Sequence, residues 1–230
     1  MIPTIEASPA EIYDIELEHS LLEANAELAR KNQALLDTHG ITAIDVMGAI
    51  GSGKTTLISK LAGKLAGRLG LAVLNGDATT ADDVSVIAEN GAQVIQLATI
   101  NGCHLDANLV GKALKRLDLD KVNLILIENI GNLICPAEFP LGSRSRIVVV
   151  SVTEGPYMVK KHPHMFLGAD VVVINKIDLA EAMAVKVEDL TRDVHTLKPD
   201  IRVIATSCKT GAGINEVVSV VAPKTVSADA

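Results

Sequence analysis

Eight consecutive residues, Gly48-Ala49-Ile50-Gly51-Ser52-Gly53-Lys54-Thr55, fit the pattern GxxxxGK[ST] at every defined position. An aliphatic run at 41–47 comes before them and a helix-forming stretch at 54–69 follows. In that order, backbone N–H groups and a helix N-terminus can face a phosphate. Lys54 would reach the β/γ oxygens as a point charge, and Thr55 would offer a hydroxyl to Mg²⁺. Thr56 completes this part of the nucleotide set. An ordinary glycine-rich turn with an exposed lysine is the alternative, and the full motif between strand and helix argues against it.

A second motif selects the base. Asn175-Lys176-Ile177-Asp178 follows an aliphatic run at 171–174. A carboxylate there can accept from both the N1–H and the exocyclic amine of guanine, a donor pair that adenine lacks, and a polar site of this kind discriminates because the wrong base leaves its groups unpaired. The pattern lies at the carboxyl end of a predicted strand, where open α/β sheets bind ligands. Ser207-Cys208-Lys209 follows the next run and is similar to the SAK-type element whose backbone N–H contacts the guanine carbonyl.

Acids and soft ligands complete the inventory. Asp77 and Glu128 end two further aliphatic runs and suit Mg²⁺ or an attacking water; either could instead cap a helix or sit solvated. In 128–131 a Glu-x-x-Gly replaces the Asp-x-x-Gly of Ras-like GTPases. No glutamine adjoins Glu128 to orient water, so slow GTP hydrolysis is expected. Cys103-His104 and Cys135 offer thiolate and imidazole, ligands suited to Zn²⁺ or Ni²⁺, although a buried Cys is often only a small hydrophobe. One chain offers few such ligands, so a second copy across a two-fold axis would complete the shell at a homodimer interface. Cys135 lies seven residues after Glu128, so ordering that segment would move a metal ligand.

These residues need a scaffold, and the composition supplies one. The 230 residues include two Phe, two Tyr and no Trp, so the core must be aliphatic. Runs at 41–47, 71–74, 94–97, 122–127, 147–152, 171–174 and 202–205 alternate with helical stretches at 54–69, 82–90, 106–117, 182–197 and 214–221. This predicts an α/β fold: a mostly parallel sheet of about seven strands with helices on both faces, preceded by a helix at 16–37. One nucleotide-binding domain over 15–222 is expected, with residues 1–14 and 223–230 loose. A net charge of −7 and four aromatic residues argue against nucleic acid as a partner. No apolar window reaches membrane-span length and the N-terminus is acidic, so a cytoplasmic protein is expected, with its three cysteines reduced. His162-Pro163-His164, after two lysines, reads as a solvated loop.

The residues together resemble one family. Positions 47–55, Cys103-His104-Leu105-Asp106-Ala107, Glu128 through Ala137, and Asn175-Lys176-Ile177-Asp178 are similar to those of the HypB family, the hydrogenase nickel-incorporation GTPases of the SIMIBI class of P-loop proteins. The resemblance implies a GTP- and metal-linked homodimer holding Ni²⁺ or Zn²⁺ through Cys103, His104 and Cys135. It implies GTP/GDP and Mg²⁺ as cofactors. It also implies a second nickel metallochaperone and the large subunit of a [NiFe]-hydrogenase as partners. Three departures stand out: the Cys-rich N-terminal motif and His-rich stretch of some relatives are missing, Asn108 stands where some carry a further histidine, and Val86 stands where many carry a polar residue. Two alternatives differ in their markers. A urease accessory GTPase would carry Cys-Pro-His, whereas Ala137 follows Cys135-Pro136 here, and a non-catalytic GTP-gated adaptor would release no phosphate.

Overall fold

A computed structural model describes residues 4–6, 18–76, 85, 87–99, 102 and 104–223. Its strands are β1 (Thr4–Glu6), β2 (Thr42–Met47), β3 (Leu71–Asn75), β4 (Gln93–Ala98), β5 (Leu124–Glu128), β6 (Ser145–Ser151), β7 (Val171–Asn175) and β8 (Arg202–Ala205). They form one sheet in the order β1-β4-β3-β5-β2-β6-β7-β8, and every pairing is parallel. All seven predicted strands occur, and the short β1, within the stretch read as loose, adds an eighth at the edge beside β4.

Alternation along the strands separates two apolar faces. Ile44, Val46, Val149, Val171 and Val173 point to a face covered by α2 (Lys54–Leu65) and by the C-terminal helix over Ile214–Val221. The opposite face divides in two. Ala43, Leu74, Ile95 and Ile127 pack with α1 (Glu18–Thr38) and α3 (Ala107–Leu114). Val148, Val150, Val172 and Ile174 pack with α4 (Met158–Lys161), α5 (Pro163–Leu167) and α6 (Val187–Leu197), leaving Ile214–Val221 as α7. Both faces are covered, so uninterrupted aliphatic strands are the low-energy choice. Among the described residues, Phe166 is the single aromatic of the largest fully buried side chains. Among the described residues no helix is long and apolar enough to cross a membrane.

Several elements differ from the sequence expectation for local reasons. The predicted 182–197 helix begins five residues later, because Ala184 turns left-handed (φ 51) and Lys186 is extended at the N-cap. The predicted 106–117 helix starts at Ala107, with Asp106 as its cap: its Oδ1 accepts from Leu109 N at 2.8 Å. His162-Pro163-His164 is no loop; His162 precedes α5, and Pro163 occupies its first position, where a missing N–H costs nothing.

Helix α1 is fastened by two buried amides one heptad apart. Asn25 Nδ2 donates to Pro140 O (2.8 Å), and Asn25 Oδ1 accepts from Ala107 N (2.8 Å). Asn32 Nδ2 donates to Ala107 O (2.7 Å) and Leu141 O (3.1 Å). The helix thereby packs on its own domain and holds the 137–142 segment against the start of α3. Asn32→Ala strips two buried carbonyls of their donor and should cost about 2–3 kcal/mol in urea unfolding; a loss below roughly 0.5 kcal/mol would show that water replaces the amide.

Candidate nucleotide and metal site

The carboxyl ends of β2, β3, β5, β6 and β7 share one edge of the sheet, and the predicted nucleotide motifs gather there. After β2 the chain curls through 48–53 into α2. Gly53, at its N-cap, has φ 99, and a Cβ there would run into the Asn175 side-chain amide. The phosphate loop and the base motif thus touch: Asn175 Nδ2 donates to Ser52 O at 3.0 Å, and Lys176 Nζ donates to Gly51 O at 2.6 Å. Lys54, 3% exposed, donates from Nζ to Ala49 O at 3.2 Å, so its ammonium arches back over the loop that it closes. Gly48, Ala49, Ile50 and Gly51 supply the rest of the turn, and Thr56 follows Thr55 in the first turn of α2.

The base pocket is internally braced. Asp178 Oδ1 accepts from Ser207 Oγ at 2.6 Å, and Ser207 Oγ accepts from Thr210 N at 3.1 Å. Asn175 Oδ1 accepts from Thr206 Oγ1 at 3.1 Å. Ser207 N donates to Ala212 O at 3.0 Å, so its backbone N–H is engaged while its hydroxyl holds Asp178. Cys208 also packs in the core beside α7, where burial pushes its thiol up and disfavours the thiolate. Sequence reading passed over Glu154, just beyond β6. Its Oε1 accepts from Ser151 N at 2.7 Å, and burial raises its carboxyl against that bond and the pull of Lys176 and Lys54.

Glu128 ends β5 fully buried, and Thr55 Oγ1 donates to its Oε1 at 2.5 Å. A hydroxyl and a carboxylate converging beside the phosphate loop present the hard oxygens that Mg²⁺ takes. Asp77, the other predicted acid, lies outside the described residues. The chain from Glu128 then crosses the phosphate loop: Asn132 bridges to Gly48, and a Cβ on Gly131 would strike Ile50. Close approach is what requires glycine at 131.

That segment continues into a 3-10 turn, Cys135–Ala137, with Cys135 half-buried and unbonded to another cysteine. His104 is brought to it: its ring stacks on Phe139 at 3.7 Å between centroids, with planes 18° apart. His104 Nδ1 lies 2.9 Å from Leu105 O; with that nitrogen as donor, Nε2 carries the lone pair that a metal takes. Cys103 lies outside the described residues. Among the described residues no group of three His, Cys, Asp or Glu side chains that could hold a metal occurs.

Beneath this edge Asp45 of β2 is fully buried; Asn129 Nδ2 donates to its Oδ1 at 3.1 Å, and Arg146 Nε stands 3.8 Å from Oδ2. Burial outweighs both partners and lifts the carboxyl from 3.8 to about 6. The folded state therefore holds a proton that the unfolded chain has released, and stability falls as pH rises from 4 through 6, by on the order of 3 kcal/mol. Asp45→Asn should remove that slope in urea unfolding run across this range; an unchanged slope would place the titration elsewhere.

Comparison with known proteins accords with this arrangement. The model of the CobW/HypB/UreG nucleotide-binding domain matches residues 42–205. The probable hydrogenase maturation factor HypB of Methanocaldococcus jannaschii is 46% identical over 203 residues, covering 88% of this chain and 92% of that protein. The crystal structure of HypB from Archaeoglobus fulgidus superposes with a TM-score of 0.83 at 39% identity, over 86% of this chain and 97% of that one. HypB from Helicobacter pylori in complex with nickel superposes at 0.80 with 31% identity, over 86% and 93%. With its phosphate loop, guanine motif and parallel sheet in place, the chain belongs to the HypB family of hydrogenase maturation factors and is a P-loop GTPase.

Proposed function

We propose that this GTPase delivers nickel to a [NiFe]-hydrogenase in the cytoplasm, binding the metal through Cys103, His104 and Cys135 and releasing it under control of the bound guanine nucleotide. The observation that carries this reading is the continuity of one segment. Residues 128–132 contact Thr55 and Gly48 of the phosphate loop, and three residues later the same segment presents Cys135. His104 packs on Phe139 of that segment, so a shift in 128–139 acts on both His104 and Cys135.

Glycine-loop N–H groups and Lys54 hold the phosphates, while Asp178, Lys176 and the N–H groups after Ser207 hold guanine. Thr55 and Glu128, with Asp77, are the residues that would hold Mg²⁺, which when bound neutralises phosphate charge. Glu128 also polarises the attacking water; with no glutamine beside it to orient that water, turnover stays slow, which suits a timer. Zn²⁺ would fit the same soft donors as Ni²⁺. A second copy completes the metal shell, and Ile50 and Ile134, 78% and 69% exposed beside the loop and the cysteine, are apolar surface that such a copy would cover. A second nickel metallochaperone would load the site and the hydrogenase large subunit would receive the metal.

Equilibrium dialysis with Ni²⁺ tests the ligand set. Cys135→Ala and His104→Ala should each weaken nickel binding by at least about 100-fold, leaving GDP affinity within roughly threefold of wild type. Nickel binding as tight as wild type in both variants would dismiss the assignment.

A further inference from the structure

Charged side chains in the middle of a covered parallel sheet need a reason. Asp45 and Arg146 are register partners on adjacent central strands, β2 and β6, at the seam between the apolar cluster under α1 and α3 and the one under α4 to α6. Asp45 is fully buried and the Arg146 side chain is 18% exposed. Such pairs are poor sources of stability, since apolar replacements are often neutral or better. At 3.8 Å the two are an ion pair without a hydrogen bond, and their hydrogen bonds go elsewhere.

Arg146 Nη1 donates to Ala137 O at 3.0 Å, closing the turn that Cys135 opens. Asp45 Oδ1 accepts from Asn129, the residue after Glu128. Asn129 is fully buried; its Oδ1 accepts from Ile130 N at 3.0 Å and from Leu105 N, beside His104, at 3.3 Å. One connected set, hydrogen-bonded except at the Asp45–Arg146 ion pair, therefore runs from the residue next to His104, through the residue next to Glu128, to the turn holding Cys135. Its members lie far apart in sequence and meet only at this seam.

We propose that Asp45, Asn129 and Arg146 are positioning residues that set the placement of His104 relative to Cys135 according to the conformation of the 128–131 segment. Resting on the metal-delivery reading above, the inference names the side chains that carry the coupling. Asn129 cannot move with Glu128 without stretching its bonds to Leu105 or Asp45, and Asp45 is the counter-charge that holds Arg146 on Ala137. In a dry interior each bond in such a chain is worth more than at the surface, which favours two discrete arrangements over a continuum.

The test uses the full chain and two conservative variants. Asp45→Asn keeps an acceptor for Asn129 and removes the charge facing Arg146; Arg146→Lys keeps the charge and loses the reach to Ala137. Ni²⁺ affinity is measured by chelator competition in excess GDP and in excess non-hydrolysable GTP analogue, with the nickel–thiolate absorption band followed in both states. Wild type should show two affinities at least about fivefold apart. In both variants the ratio should fall to within roughly twofold of one and the band should stop responding to nucleotide, while GDP affinity holds. A wild-type ratio preserved in the variants overturns the relay and leaves the metal-delivery reading standing. A ratio of one in wild type overturns both, and loss of GDP binding in both variants assigns these residues to folding instead.

Discussion

Asp178→Asn is expected to weaken guanine nucleotide binding by about 10²–10⁴-fold and to raise affinity for xanthine nucleotides. A carboxylate faces the two donors of guanine with two acceptors, whereas an amide turns one acceptor into a donor and leaves a buried N–H opposing another. Xanthine carries a carbonyl where guanine carries its amine, so the amide's NH₂ regains a partner there. The side chain cannot swing away to relieve the mismatch, because Ser207 Oγ, itself fixed by Thr210 N, holds Oδ1 at 2.6 Å. Titration of fluorescent GDP and XDP against wild type and variant reads both effects. Unchanged GDP affinity would remove Asp178 from the base site.

Glu128→Gln should slow single-turnover phosphate release by about 10²–10³-fold, the size of effect seen when a positioned polar group is lost from a dry site. Gln keeps the shape and can still meet Thr55 Oγ1, so GDP binding should persist and the loss should fall on chemistry. Release at the wild-type rate would transfer the acid's role to Asp77.

Much of this was legible before any coordinates. The seven long strands announced themselves because a sheet covered on both faces is aliphatic throughout, and the two nucleotide motifs because backbone geometry demands glycine and lysine at fixed spacing. What escaped were short or long-range features. Thr4–Glu6 has three residues, too few for a pattern. Helices α4 and α5 have four and five and are interrupted at His162, so no apolar periodicity develops. Asn25 and Asn32 look like ordinary polar positions of a helix until the 140-loop folds over them. Asp45 stood inside a run read simply as aliphatic, and its partner Asn129 is 84 residues away. Phe139, which aligns His104, carried no signal at all. Even the legible helices began late where capping decided, as at Asp106 and Lys186.

The central claim is that guanine nucleotide and nickel act on one segment, 128–139, and so on each other. Its most direct measurement is the affinity of wild-type protein for a non-hydrolysable GTP analogue, titrated with and without saturating Ni²⁺ while dimer mass is followed by light scattering. Nickel should shift that affinity by at least about fivefold, by the same factor through which the analogue shifts nickel affinity, with a matching change in the dimer population. An identical nucleotide affinity with and without nickel would contradict it, since ligands that do not discriminate between states cannot be coupled.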